Sequence, residues 1–316
     1  MKKIILGNTG IEVTELCFGA LPFGPLQKNM KVEECAEVLS YALDLGINFI
    51  DTAQMYKTYE PIKLALKNRK ERPIIATKTH CLTYEDAEFA VNEALEGMGV
   101  DYIDIFLLHS ARYGADAFEI KKDVLECLKK YKAMGKIKAV GISAHNVHLV
   151  ETAAYRDDID IVFPLINKVG RGILEGSIED MKKAIALCES KGKGIYLMKA
   201  LGGGTLIDDY EASMNFARSL SDNYAIAVGM VSKEEVLYNV KYFNGEKDLE
   251  GIIHIKNKKE IKVFEGVCIG CGACARACHS GAITVGENKK AFIDTNKCIQ
   301  CGYCVAACPS FAVRVV

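Results

Sequence analysis

Three features of the 316-residue sequence predict an α/β protein in two parts, a (β/α)8 barrel opened by a β-hairpin and then a small α+β lobe of another kind. Eight short apolar segments alternate with stretches of helical period over residues 1–245. The pattern then gives way to a polar, lysine-rich connector, read as a linker over 246–263. Residues 264–316 repeat one cysteine-rich run with a period of 30.

The elements follow in order. "KIILGNTGIEV" reads as a hairpin, two apolar strands around a Gly-Asn-Thr-Gly turn. The barrel strands are then expected at 15–20, 47–53, 73–79, 103–109, 138–143, 159–167, 194–200 and 225–230. Most are apolar almost throughout, as parallel strands buried on both faces require. Between them, "EECAEVLSYALDLG" sets Cys35, Val38, Leu39, Ala42 and Leu43 on one helical face and stops at Gly46. "EDAEFAVNEALEGMG", "KKDVLECLKKYKAMGK", "IEDMKKAIALCESKG" and "SKEEVLYNVKYF" behave alike, the last with Ser232 and Glu235 spaced for a capping box. Eight strand–helix units over about 250 residues is the arithmetic of a TIM barrel. A doubly wound open sheet is the alternative. It would place G-x-G-x-x-G after the first strand, where "CFGALPFGPLQ" has no such spacing.

Composition narrows the function. Half of the residues are apolar and 26% are charged, a globular profile. A net charge of −1 gives no electrostatic case for nucleic acid or an anionic membrane. No apolar run reaches the ~18 residues of a membrane span, and "MKKIILGNTG" is too briefly apolar for a signal peptide. A cytoplasmic protein is expected.

Eight of the 13 cysteines fall in the last 49 residues, a clustering that favours metal over disulfides in a chain read as cytoplasmic. The runs "CIGCGACARACH" and "CIQCGYCVAACP" each read C-x2-C-x2-C-x3-C. In such runs three thiolates hold one cubane and the fourth crosses to its neighbour. Cys268, Cys271, Cys274 and Cys308 are thus expected on one [4Fe–4S] cluster, and Cys298, Cys301, Cys304 and Cys278 on the other. Zinc fits poorly, because its sites usually show two separated CxxC pairs. The arrangement resembles bacterial two-cluster ferredoxins, except that His279 stands where that family has proline. The other five cysteines read as buried apolar side chains, and of these Cys81 lies near a catalytic candidate.

In a barrel, catalytic groups belong at the C-terminal ends of the strands. There "FIDTAQMY" offers Asp51 and Tyr56, "IIATK" ends in Lys78 and "IFLLH" ends in His109. Reducing a carbonyl to an alcohol requires a proton donor. Tyr56 would serve as general acid, and as base in the reverse direction, with the ammonium of Lys78 lowering its pKa. Asp51 would place Lys78, and His109 would orient the substrate oxygen.

These strand ends, with "LGNTGIEVTELCFGA", "GIS" (141–143), "LGGG" (201–204) and "GMVSKEEVLYN" (229–239), resemble the aldo-keto reductase superfamily over residues 1 to about 245. The resemblance implies the tetrad Asp51, Tyr56, Lys78 and His109, and NAD(P)H as cofactor. The cofactor would meet Ser143, Asn167, Met198, Lys199, Gly202, Gly203, Gly204, Gly229 and Asn239. Several positions depart from that pattern. Ala144 follows "GIS" where the family has asparagine, Phe163 stands for a glutamine and Met198 for a stacking aromatic. Val231 and Glu235 stand where cations would clamp a 2′-phosphate, leaving Lys233 between them. NADP, NAD and a flavin therefore remain alternatives, a flavin being able to bridge two-electron and one-electron chemistry. The expected function is an oxidoreductase that interconverts a small-molecule carbonyl and an alcohol, with electrons relayed through the clusters and an external redox partner. The alternative is an electron carrier or redox sensor whose barrel binds a nucleotide or flavin without turnover. Clusters acting as structural clamps are a third reading.

Overall fold

The computed structural model describes residues 1–111, 113–246, 249, 260–310 and 312–315, so most of the expected linker lies outside the described residues. The chain opens with the hairpin β1 (Lys3–Ile5) and β2 (Glu12–Thr14), in which Ile4 faces Val13. The barrel strands are β3 (Leu16–Gly19), β4 (Phe49–Asp51), β5 (Ile74–Thr79), β6 (Ile103–His109), β7 (Ile137–Ala144), β8 (Ile161–Pro164), β9 (Gly194–Leu197) and β10 (Ala225–Gly229). They pair in sequence order, all parallel, and β10 closes on β3. All eight fall on the segments expected, most of them trimmed at the ends.

Alternation along each strand separates two apolar layers. Leu16, Phe18, Ile50, Phe106, Leu108 and Val140 pack outward against the helices. Cys17, Phe49, Ala76, Ile105, Leu107, Ile161 and Tyr196 point inward. Leu6, Ile11 and Val13 of the hairpin region belong to the same inner column and floor the barrel. Ile299, Cys301 and Tyr303 of the lobe belong to it too and roof the barrel. The interior is thus one apolar column, closed below and above by chain from outside the sheet.

The outer layer is α1 (Val32–Asp44), α2 (Tyr59–Leu66), α3 (Tyr84–Met98), α4 (Ala117–Ile120), α5 (Lys122–Ala133), α6 (Val147–Ala154), α7 (Ile178–Ser190), α8 (Tyr210–Arg218) and α9 (Lys233–Phe243). Helices α2, α4, α6 and α8 went unread in the sequence because about one to two and a half turns carry too little 3.6-residue period. The capping box expected at α9 is half formed. Ser232 accepts the Glu235 amide at 3.2 Å, but the Glu235 carboxylate takes the Val231 amide at 2.7 Å. A complete box forms instead at Ser177 and Asp180 of α7.

The lobe is built twice over. β11 (Ile261–Val263) pairs antiparallel with β14 (Val313–Val315), and β12 (Ile283–Val285) with β13 (Ala291–Ile293). Helices α10 (Ala273–Ala277) and α11 (Tyr303–Ala306) each start after a left-handed glycine, Gly272 at φ 71° and Gly302 at φ 82°. Ile261, Ile283, Ala291, Ala312 and Val313 form its own small core with Cys274, Cys304 and Cys308.

Candidate functional site

Strand parity builds the site. In β6, Ile105 and Leu107 face the axis, and the same parity brings His109 to the rim. Ala76 and then Lys78 do likewise in β5, as do Phe49 and then Asp51 in β4. Tyr56 follows in the 3-10 turn Gln54–Tyr56, buried at the top of the inner column.

Lys78 is 1% exposed. An ammonium has three N–H groups. Here they go to Asp51 Oδ1 at 2.8 Å, Asp51 Oδ2 at 2.7 Å and the Thr52 carbonyl oxygen at 2.7 Å. Asp51 also accepts the Tyr196 hydroxyl at 3.0 Å. Burial pushes Asp51 up and Lys78 down, each against the pull of the other's charge. The expectation that Lys78 lowers the Tyr56 pKa is corrected here. With its donors spent, the ammonium lies 4.9 Å from the centroid of the Tyr56 ring. Burial, with Tyr303 and Asp51 beside it, holds the phenol well above its ordinary range. Tyr56 is thereby kept in its acid form.

The fourth member brings in the lobe. The Tyr303 hydroxyl and His109 Nε2 are 3.1 Å apart, and the Tyr303 hydroxyl also bonds with Tyr56. Tyr303 therefore places its oxygen where Tyr56 and His109 converge. His80 stacks on His109 at 3.8 Å and 19°. The His279 ring lies 4.3 Å from that of Tyr303 and 6.2 Å from that of His145. Burial, reinforced by the neighbouring rings, pushes His109 and His145 well below the usual histidine range, so both are neutral. Lys121 fastens this wall, donating to the His80 carbonyl at 3.1 Å and the Cys81 carbonyl at 2.9 Å. The Cys81 thiol bonds Thr79 Oγ1 at 2.8 Å within that loop.

Tyr303, Tyr196 and His80 were missed in the sequence. Tyr196 was recoverable from inward parity on β9. Tyr303 stands where the first cysteine run has Ala273, just as His279 stands opposite Pro309. Both departures from the repeat face the barrel.

The remaining rim residues are already engaged. Ser143 is 1% exposed, in register with His109 and Phe163. Asn167 holds its own loop, accepting the Val169 and Arg171 amides and donating to the Arg171 carbonyl. Asn239 accepts the Tyr210 hydroxyl at 2.6 Å and donates to the Glu235 carbonyl at 2.7 Å. Lys233 pairs with Glu37 at 3.4 Å, and a Cβ on Gly229 would meet Pro22 at 2.5 Å. Phe163 stacks on Tyr196 at 3.8 Å. Met198 packs in the column with Ile299, Cys301 and Tyr303. Gly202, Gly203 and Gly204 all have positive φ. A Cβ on Gly203 would overlap the Ile299 carbonyl, and one on Gly204 would meet Gln300 Oε1 at 3.6 Å. With the lobe docked there is no gap for a dinucleotide between this loop and residues 299–300. The residues do not fit that group in this arrangement.

The cysteines do fit iron–sulfur clusters. Cys308 and Cys268 act electrostatically on Cys274, while Cys301, Cys298, Cys278 and Cys274 act on Cys304. Backbone amides point at sulfur in matching places, Ala282 N to Cys278 Sγ and Ala312 N to Cys308 Sγ, both 3.2 Å. Burial raises Cys274, Cys298, Cys301 and Cys304. Such thiols need the positive charge of bound iron to ionise. Among the described residues, no three His, Cys, Asp or Glu side chains converge as a single-ion site requires.

Comparison with known proteins agrees. The model of the aldo/keto reductase family matches residues 15–259, and that of a 4Fe-4S dicluster domain matches residues 267–312. L-galactose dehydrogenase of Arabidopsis thaliana is 27% identical over 217 residues, 64% of this chain and 66% of that protein. Glyoxal reductase of Bacillus subtilis is 31% identical over 141 residues, 43% of this chain and 48% of that protein. The chain thus spans about half to two thirds of these curated relatives. A Pseudomonas aeruginosa structure described as an aldo-keto reductase superposes with a TM-score of 0.66 at 25% identity, over 77% of this chain and 94% of that one. The holo form of an aldo-keto reductase from Bacillus halodurans shares the fold at a TM-score of 0.63 and 22% identity, over 76% of this chain and 90% of that one. Among the described residues no helix is long and apolar enough to cross a membrane.

Proposed function

We propose, from the premise that this chain belongs to the aldo/keto reductase family, that it is an iron–sulfur oxidoreductase interconverting a small carbonyl compound and its alcohol. The observation that carries this reading is the 3.1 Å contact between Tyr303 of the cysteine lobe and His109 of the barrel. It joins electron wiring and acid–base groups in one site. A carbonyl takes up two electrons and two protons to become an alcohol. The clusters, when bound, supply electrons singly, from a low-potential one-electron donor outside the chain. Tyr56, held protonated, delivers a proton to the substrate oxygen, and solvent supplies the second. Neutral His109 orients that oxygen, and the Asp51–Lys78 pair fixes the floor beneath Tyr56. For the substrate to reach Tyr56 and His109, the Tyr303 hydroxyl must give way. The names of the two curated relatives support a small carbonyl or hydroxyl compound as substrate.

A second reading rests on the same tyrosine. Tyr303 fills the place of a carbonyl oxygen, which favours an electron carrier or sensor that never turns a carbonyl over. Anaerobic turnover separates the two. The parent protein, reduced by dithionite or by NADPH in parallel, is offered aldehydes, ketones and quinones. Tyr56→Phe is expected to slow carbonyl consumption by ~100-fold or more. An unchanged rate in that variant refutes the acid–base assignment, and no rate in the parent with any carbonyl establishes the sensor.

A further inference from the structure

The two clusters implied by the cysteines stand in unlike surroundings. Cys271, on the first, is exposed. Cys301, on the second, is buried in the barrel's inner column beside Tyr56, Phe163 and Met198. Its seat is made by two barrel loops. A Cβ on Gly172 would meet Ile299 at 3.0 Å, and one on Gly203 would overlap the Ile299 carbonyl. A buried centre accepts an extra electron less readily than a wet one, because less solvent stabilises the added charge. Left to burial alone, the second cluster would be the harder to reduce, and electrons would stop short of the barrel.

The seat, however, brings two cations. Lys199 lies between Met198, packed on Cys301, and the glycine turn packed on Ile299, and it is held at φ 64°. Its ammonium acts on both Cys298 and Cys301. Arg171, next to Gly172, acts on Cys298. Burial pushes the Lys199 pKa down, with the Cys301 and Cys298 thiols and the Asp51 carboxylate pulling the other way. The loops that carry these two cations converge on Ile299, next to Cys298 of the second cysteine run. An iron–sulfur core held by four thiolates would be an anion within reach of both.

We propose that Lys199 and Arg171 are the counter-charges of the second cluster and selectively raise its reduction potential, so that an electron taken up at the exposed first cluster passes on to the one at the barrel mouth. The inference rests on the reading of the chain as an electron-relaying oxidoreductase. In the step itself, an external low-potential one-electron donor is oxidised as the first cluster is reduced. The first cluster is then reoxidised as it reduces the second.

The test is an anaerobic redox titration of the full chain with both clusters loaded, followed by electron paramagnetic resonance, with no substrate present. Lys199→Met is expected to lower one midpoint potential and leave the other in place. The fall corresponds to a tenfold or greater loss in the reduction equilibrium, ~59 mV for one electron. Lys199→Arg is expected to keep the parent value. Lys290→Met removes a cation that donates to the Cys268 carbonyl at 2.7 Å, and is expected to shift the opposite midpoint. Two unmoved midpoints in Lys199→Met, with iron content equal to the parent's, overturn the proposal. If Lys199→Met loads no iron, Arg171→Gln is titrated in its place, and unmoved midpoints there overturn it equally. Because no carbonyl takes part, the potentials can shift even where the turnover reading fails, and the reverse.

Discussion

Replacing Lys78 by methionine isolates the electrostatic centre of the barrel. The change removes three charge-assisted hydrogen bonds of 2.7–2.8 Å and leaves Asp51, 5% exposed, with the Tyr196 hydroxyl as its remaining side-chain donor. Breaking a buried pair from one side costs about 3–5 kcal/mol, since an uncompensated charge stays behind. That is a large share of the ~5–15 kcal/mol that holds a domain folded. The penalty depends on pH with a fixed sign. Without Lys78, burial raises Asp51 further above its unfolded value, so the unfolded chain releases its proton first as pH rises. The variant therefore loses stability relative to the parent as pH rises from the parent's Asp51 pKa, already above the ordinary carboxylate range, toward the variant's higher folded value, by up to ~1.4 kcal/mol per pH unit. Anaerobic urea titrations followed by circular dichroism at pH 5.5 and 8.5 measure both quantities. The double variant Asp51→Leu, Lys78→Met should recover most of the loss, because no lone charge remains. A cost under ~1 kcal/mol at pH 8.5, or one that does not grow with pH, refutes the view that this pair is buried and mutually dependent.

Two further outcomes are expected. Gly203→Ala combines left-handed strain with overlap on the Ile299 carbonyl and should lift the lobe, read as faster proteolysis after residue 260. Gly46→Ala, at φ 90° with open space around its Cβ, should leave proteolysis unchanged. Burial brings Lys121 down to about 8. The unfolded chain then holds more protons between pH 8 and about 10.4, and parent stability should rise across that window relative to Lys121→Met, as urea midpoints will show.

The barrel was legible because its strands carry two unambiguous signals, apolar runs of the right length and catalytic residue types at their C-terminal ends. Asp51, Lys78 and His109 could be placed from parity alone. The dicluster domain was legible because two runs of C-x2-C-x2-C-x3-C at a period of 30 leave few other readings. What stayed hidden depends on contacts between distant parts of the chain. No local pattern says that Tyr303 will reach His109, 194 residues earlier. Nor does one say that "GGG" will receive a protein backbone, since the same positive-φ turn serves a phosphate or a carbonyl equally well. The inverted expectation for Tyr56 has a similar origin. Proximity of an ammonium was readable, but the spending of all its donors on Asp51 and Thr52 was not.

The inner column from Leu6 to Tyr303, with the Asp51–Lys78 pair set near its upper end, ties the fate of the sheet to metal supply. Iron and sulfide bound by the lobe act as ligands of the folded state, and the segment they brace is the barrel's own ceiling. A chain stripped of them has no fixed lid over Phe163 and Met198, so water gains the throat. Chelation in the lobe should therefore be felt throughout the sheet.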